Sequence, residues 1–134
     1  MFLLCWLLQS NINMPLELAP LTKQVIGACI AVHKDKGPGF LESIYENCLK
    51  IEFRKRGIVA EFQKEVNIFY DGELVGTHKL DILVNGDLVV ELKAIKALED
   101  VHFAQVRSYL RATNVKHGLL INFASAILTV KRVI

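Results

Sequence analysis

The chain has 134 residues, 52% of them hydrophobic and 22% charged, which fits one globular domain and is too short for two ordinary ones. This composition excludes a disordered chain. Sixteen Lys and Arg against 14 Asp and Glu give a formal net charge of +2, and the isoelectric point of 8.5 lies below the roughly 9 typical of an obvious nucleic-acid-binding domain. Any positive surface for a nucleic acid is therefore expected to be local.

The three cysteines, Cys5, Cys29 and Cys48, are odd in number and lack C-x-x-C spacing. This pattern argues against a disulfide framework and against a zinc or iron–sulfur site. We therefore expect reduced, buried thiols at Cys29 and Cys48 in a cytoplasmic protein.

A short apolar stretch at 2–8 opens the chain and is far below the roughly 20 residues that span a bilayer. It also lacks the basic start of a signal peptide. We interpret residues 1–15 as an N-terminal extension outside the fold, and residues 16–134 as a single domain. Translated upstream sequence with Met14 as the true start explains the extension, and a membrane-touching or partner-binding tail is the alternative.

Two helices are predicted at the start of the domain, because apolar residues recur there at helical spacing. The first covers about 20–36, with Pro20 suited to its first turn, and a Gly-Pro-Gly turn follows at 37–39. The second covers about 41–56, and Gly57 is suited to cap its end.

After this second helix the hydrophobic period becomes alternating, which is typical of strands. Strands are predicted at 58–62, 66–70, 75–84 and 88–94. A helix over about 99–112, a strand at 119–123 and an edge strand at 127–133 follow. A strand–helix–strand crossover implies one parallel pair beside antiparallel hairpins. We therefore expect an α/β domain with a mixed central sheet flanked by helices.

Three charged residues interrupt two otherwise apolar strands: Asp81, Glu91 and Lys93. Glu91 and Lys93 share one face of a strand, and Asp81 lies on the neighbouring strand. Two carboxylates supply hard oxygen ligands for Mg²⁺, and a lysine beside them can orient a water or stabilise a phosphoryl group. The alternative is a buried ion pair of Lys93 with Glu91 or Asp81, but buried pairs add little stability and leave the charges unexplained.

The turn between these strands decides whether the two carboxylates meet. A two-residue Asn85-Gly86 turn would point Glu91 to the face opposite Asp81. A shared metal site needs a register with both carboxylates on one face. We therefore predict a bulged or longer loop in spite of the Asn-Gly signal.

Two further pairs of residues lie at helical spacing. Glu42 and Tyr45 are three apart near the start of the second helix, where an acidic residue also simply complements the helix dipole. Gln105 and Tyr109 are four apart on the third helix, where an ordinary surface role is the commoner case. Each pair alone is weak support for a site.

Together these segments resemble the GxxExxY proteins, a bacterial and archaeal group assigned to the PD-(D/E)XK nuclease superfamily. The resemblance rests on GFLESIY at 39–45, LDILVNGDLVVELKA at 80–94, HFAQVRSYL at 102–110 and GLLINF at 118–123. It covers about residues 20–134. It implies a restriction-endonuclease-like αβββαβ core, in agreement with the predicted order of elements.

The resemblance also implies roles for single residues. Asp81 and Glu91 resemble the metal ligands, and Lys93 resembles the catalytic lysine. Glu42 and Gln105 resemble further catalytic positions that two helices contribute. Substrate contacts are expected at four more residues, with packing around the site as the alternative for the tyrosines: Lys79, Arg107, Tyr45 and Tyr109.

The resemblance implies a Mg²⁺-dependent nuclease, with Mn²⁺ as a substitute, that acts on DNA, with RNA as the alternative substrate. A non-catalytic module that keeps the fold and binds nucleic acid or protein is the alternative, because superfamily membership does not establish activity. Leu80 also replaces the proline of the superfamily name. We expect no membrane partner, and a homodimer is left open.

A working site requires residues from two helices and two strands to open into one cleft: Glu42, Asp81, Glu91, Lys93 and Gln105. Three histidines are expected outside that cleft: His33, His78 and His117. The sequence does not indicate whether His102 lies inside or outside that cleft. A plain structural α/β domain, the third hypothesis, predicts no such convergence.

Overall fold

The computed structural model describes residues 18–134, so Cys5 and the predicted N-terminal extension lie outside the described part of the chain. Within 18–134, no helix is both long enough and apolar enough to cross a membrane. Cys29 is buried, Cys48 is half-buried, and both thiols are free. Burial raises the pKa of Cys29 to about 12, which keeps this thiol protonated and unreactive.

Three helices and five strands follow one another in the described residues. In chain order they are α1 (Ala19–Lys36), α2 (Glu42–Arg56), β1 (Ala60–Tyr70), β2 (Glu73–Val84), β3 (Leu88–Lys93), α3 (Asp100–Thr113), β4 (His117–Asn122) and β5 (Thr129–Val133). This order contains the expected αβββαβ core. The prediction of separate strands at 58–62 and 66–70 is wrong, because β1 continues through the polar residues between them.

The five strands form one sheet in which spatial order equals chain order, β1-β2-β3-β4-β5. Neighbouring strands are antiparallel, except that β3 and β4 run parallel. Helix α3 provides the crossover that a parallel pair needs. The mixed sheet is thus confirmed, with β5 as the predicted edge strand.

The helices cover both faces of the sheet and divide the core into two parts. On one face, α1 contributes Val25 and Ile26 and α2 contributes Phe53. On the other face, α3 contributes Val106 and Leu110. Burial of each such side chain contributes roughly 1.5–3 kcal/mol. Because both faces of the central strands are covered, almost every residue of β3 is buried.

Gly118 in β4 sets how closely α3 approaches the sheet. A Cβ atom at this position would lie 2.9 Å from Cγ1 of Val106 and 3.5 Å from Cδ2 of Leu110. Real side chains do not tolerate the first of these contacts, so glycine is required for this close approach. The helix that carries Gln105 and Tyr109 is therefore seated directly on the strand backbone.

Candidate active site

The loop between β2 and β3 has three residues, 85–87, because Val84 pairs with Leu88. Its first two residues have positive φ angles of 53° and 70°. The predicted longer loop is thus confirmed. The ladder ends at the pair Ile82 and Val90, so Asp81 and Glu91 are the next two residues along the strands, in the register that a shared metal site needs.

The ribbon formed by β1 and β2 bends where Asp81 lies. Leu80 belongs to the core beside α3 and Ile82 to the core beside α1 and α2, although residues two apart on a flat strand share a face. Gln63 of β1 occupies the register position opposite Asp81, and its φ of 53° is left-handed. Asp81 therefore sits half-buried at the bend, between the two cores.

Asp81 and Glu91 form the acidic centre of the site. Oδ2 of Asp81 accepts a hydrogen bond of 2.9 Å from the Leu92 N–H. Glu91 is 4% exposed, and its Oε1 has no hydrogen-bond partner within residues 18–134. Burial, followed by the charge of Asp81, raises the pKa of Glu91 to about 9, and the nearby Lys93 only partly offsets this. Glu91 thus holds a proton at neutral pH unless a cation displaces it.

Lys93 hydrogen-bonds to an amide rather than to a carboxylate. Its Nζ donates to Oε1 of Gln105 at 3.1 Å and lies 3.8 Å from Oε2 of Glu91. The second distance is usual for an ion pair but too long for a hydrogen bond, and the high pKa of Glu91 leaves that carboxyl mostly neutral. The bond to Gln105 therefore orients Lys93.

Helix α3 supplies Gln105 and Tyr109 from one of its faces, because residues four apart are neighbours on a helix. Burial, and then the charges of Glu91 and Asp81, raise the pKa of Tyr109 to about 12, and the neighbouring Gln105 offsets only part of this rise. Tyr109 therefore lies beside both carboxylates and stays protonated.

A cleft of about 310 Å³ opens between α2 and the bend of the β1–β2 ribbon. Six residues line it: Glu42, Ser43, Glu46, Gln63, Asp81 and Leu92. Nε2 of Gln63 donates to Oε1 of Glu46 at 2.6 Å and approaches Oδ1 of Asp81 at 3.4 Å. Of the five residues predicted to open into one cleft, Glu42 and Asp81 line this one. Glu91 lies close enough to Asp81 for their charges to interact, and Lys93 lies between Glu91 and Gln105.

The sequence did not point to Glu46 or Gln63. Glu46 lies four residues after Glu42, and this spacing on one helix face was a usable signal. Gln63 carries no comparable signal, because glutamine is not typical of left-handed backbone and its neighbours in β1 are ordinary strand residues.

Tyr45 is fully buried and stabilises the turn that precedes α2. Its hydroxyl donates to the Gly37 carbonyl at 2.6 Å and accepts the Phe40 N–H at 3.2 Å. Its ring stacks on Phe123 at 4.4 Å. These contacts set where α2 begins, and hence where Glu42 lies. A fully buried side chain offers no surface to a substrate, so Tyr45 packs around the site instead.

The other two predicted substrate contacts, Lys79 and Arg107, are exposed. Lys79 lies opposite Glu65 in the β1–β2 ladder. Arg107 lines a second cleft, of about 330 Å³, together with Arg111 and Lys116. Within residues 18–134, these three cations of the second cleft form no ion pair.

None of the four histidines, all of which the structure describes, lines the cleft of Asp81. The ring of His78 contacts that of Tyr109 edge-on at 4.8 Å, and His78 lines a separate cleft. His102, undecided from sequence, caps α3: its Nδ1 accepts the Glu99 N–H at 2.8 Å, and Glu99 accepts the His102 N–H in return.

The donors around Asp81 fit a hard divalent cation that keeps several waters. Within 18–134, no group of three or more His, Cys, Asp or Glu side chains is arranged to hold a metal. Mg²⁺ instead needs only one or two carboxylates. Oε1 of Glu91, buried without a hydrogen-bond partner among the described residues, is the kind of atom that such a cation satisfies.

Known proteins match the chain at the level of family and fold. The crystal structure of SSO0001 has a TM-score of 0.55 and 19% identity, over 68% of this chain and 48% of that one, and at this identity the likeness shows the fold alone. No curated protein matches significantly. A family model of the PD-(D/E)XK nuclease superfamily matches residues 19–133. Because this match spans most of the chain, including every residue of the site, the chain belongs to the PD-(D/E)XK nuclease superfamily.

Proposed function

We propose that this protein is a Mg²⁺-dependent nuclease that hydrolyses phosphodiester bonds in DNA, with RNA as the second substrate class. The observation that carries the proposal is the Asp81–Glu91 pair beside a lysine that is oriented by Gln105. Burying these groups costs free energy unless a ligand compensates them. Membership of the superfamily supports a nuclease-type activity.

Asp81 and Glu91 would hold the cation, together with the Leu92 carbonyl. A bound cation offsets charge on the scissile phosphate and lowers the pKa of a water. Glu91 has to release its proton before it can bind, so its desolvated position makes cation binding compete with protonation. Mn²⁺ presents the same demands and would serve as a substitute.

Lys93 would act on the attacking water or on the phosphate oxygens, because a protonated amine cannot ligate a cation. Gln105 fixes the direction of this amine through the 3.1 Å hydrogen bond. Tyr109 lies one helical turn after Gln105 on the same side of α3 and is buried beside the carboxylates. Glu42 faces the cleft from α2 and would assist a water or a second cation there.

The nucleic-acid backbone would lie along α3 and the elements after it. Residues 101–134 contain five Lys or Arg and no Asp or Glu, whereas residues 1–100 contain eleven basic and fourteen acidic residues. Arg107, Arg111 and Lys116 concentrate this charge in the second cleft. By contrast, Lys55 and Arg56 of α2 both pair with Glu52, which neutralises part of the basic run at 54–56. Phosphate contacts of this kind position a substrate without reading its sequence.

Three finer points belong to the same proposal. The order and content of the motifs support the GxxExxY group within the superfamily. The reduced thiols at Cys29 and Cys48 support a cytoplasmic protein. The small net charge of +2 supports few phosphate contacts per chain, so a homodimer would strengthen binding.

The direct test is incubation of the protein with single-stranded, duplex and branched DNA and RNA in Mg²⁺, Mn²⁺ or EDTA. We expect cleavage with either cation and none in EDTA. Cleavage that persists in EDTA would reject the metal mechanism. Binding without cleavage under every condition would favour the non-catalytic module instead.

A further inference from the structure

Gln63 adopts a backbone conformation that the rest of β1 does not explain. Its φ is 53°, in the interior of a strand whose neighbouring residues are extended. Residues other than glycine rarely adopt this region, and glutamine is not among those enriched there. Such a conformation persists only where the surrounding structure enforces it, and it is found disproportionately at functional sites.

The left-handed backbone presents the Gln63 carboxamide to two carboxylates. Nε2 lies 2.6 Å from Oε1 of Glu46 on α2 and 3.4 Å from Oδ1 of Asp81 on β2. The second oxygen of Asp81, Oδ2, already accepts the Leu92 N–H. Each oxygen of Asp81 therefore faces a donor, one from the backbone of β3 and one from Gln63.

We infer that Gln63 is a positioning residue that holds the Asp81 carboxylate in the orientation needed to bind the cation. The inference rests on the proposed function and extends it to a residue outside the motifs. Gln63 acts as a neutral bridge: it donates to Glu46 and Asp81, and so lets two acidic side chains occupy one cleft. Residues that orient a metal ligand in this way commonly contribute about tenfold to 100-fold to metal affinity.

Gln63→Asn separates this role from a purely structural one. Asparagine tolerates the left-handed region better than glutamine, so the melting temperature is expected to stay constant or rise. Its side chain is one methylene shorter and cannot span Glu46 and Asp81 from the same backbone. We expect Mg²⁺ affinity, measured by titration calorimetry, to fall by about tenfold or more. Gln63→Met, which keeps the length but has no donor, should lose as much.

Asn85→Gln is the matched control. Asn85 has the same φ of 53° but lies in the exposed β2–β3 loop, where its side chain contacts Asp87. This exchange introduces glutamine at a left-handed position away from the cleft. It should lower the melting temperature and leave Mg²⁺ affinity unchanged.

The Leu92 amide gives a readout that needs no cation. Since its N–H bonds to Oδ2 of Asp81, a reoriented carboxylate should change its ¹⁵N–¹H shift and speed its hydrogen exchange in Gln63→Asn. Wild-type Mg²⁺ affinity and an unchanged Leu92 amide in Gln63→Asn would overturn the inference. A wild-type protein that binds no Mg²⁺ would overturn the proposed function instead, and the Leu92 amide would still show whether Gln63 holds Asp81.

Discussion

Helix α3 presents Gln105 and Tyr109 to the carboxylates on one side and Arg107 and Arg111 to the second cleft on the other. The first two side chains are held in place by a hydrogen bond to Lys93 and by burial. The two arginines are exposed and have no acidic partner within residues 18–134. One side of α3 is thus buried and held by defined contacts, and the other side is exposed to solvent.

Because one side of α3 is buried and the other is exposed, the two sides should respond to different solution conditions. On the buried side, desolvation strengthens electrostatic interactions, so protons and cations compete there directly. On the exposed side, water and salt screen the charges, with a Debye length of about 10 Å at 0.1 M salt. A nuclease benefits from both, because the reacting phosphate needs fixed groups and its neighbours need only positive charge. Changes on the buried side should therefore alter chemistry, and changes on the exposed side should alter affinity.

The largest effect is expected from Asp81→Asn on the buried side. The exchange keeps the volume of the side chain but replaces a charged ligand by a neutral one. Mg²⁺ binding and cleavage should be lost together, as measured by calorimetry and by a nuclease assay. Retention of full cleavage would show that Asp81 is not a metal ligand.

Lys93→Met should reduce the rate of cleavage by about 100-fold or more, a usual contribution of acid–base catalysis. Methionine keeps most of the packing of the lysine stem and removes the charge. Mg²⁺ affinity should persist or rise, because a positive charge near Glu91 has gone. If Lys93 were only half of a structural ion pair, the melting temperature would fall while the rate per folded molecule stayed constant.

Glu91→Gln should remove most of the pH dependence of stability that is expected of the wild type in the absence of divalent cations. The Glu91 carboxyl has an ordinary pKa of 4.5 in the unfolded chain and about 9 in the folded one, so the folded state keeps a proton that the unfolded state releases. Stability should therefore fall as pH rises from about 5 to 9, by at most about 1.4 kcal/mol per pH unit. Denaturant titrations should show this slope in the wild type and little of it in Glu91→Gln. Equal slopes would mean that Glu91 is ionised when folded.

The smallest effect is expected on the exposed side, from the double variant Arg107→Ala, Arg111→Ala. Each lost phosphate contact should reduce the salt dependence of binding, the slope of log K against log salt concentration, by about one. Affinity should fall at low salt, while the cleavage rate at saturating DNA stays near that of the wild type. The control Arg54→Ala, Lys55→Ala removes the same charge from α2. If the control changes the slope as much, then α3 is not the preferred contact.

Hydrophobic periodicity was sufficient to predict most of the fold. The first helix, predicted over 20–36, is Ala19–Lys36 in the structure, because its inward residues recur at helical spacing. The polar residues at 63–65 separate two predicted strands, although β1 runs through them without a break. Burial alternates from residue to residue along this part of β1, because one face of the strand is turned to solvent. The outward positions of such an edge strand need no apolar residues.

The catalytic candidates on β2 and β3 were visible in the sequence because they conflict with their surroundings. Asp81, Glu91 and Lys93 are charged residues among apolar strand residues, and charged side chains are rarely buried unless they are paired or bind a ligand. Glu46 and Gln63 create no conflict, because polar residues are ordinary on a solvent-facing helix or an edge strand. Their contribution depends on the bend of the β1–β2 ribbon, a tertiary feature that no local pattern records.

The sequential order of the strands also bears on how the chain folds. β1, β2 and β3 are joined by short turns, so Asp81 and Glu91 come together at a small cost in loop-closure entropy. Gln105 arrives only when α3 docks and the parallel β3–β4 pair forms across the longer connection, a slower step in general. The acidic half of the site is therefore expected to assemble early in folding, and the half that aligns Lys93 is expected to follow.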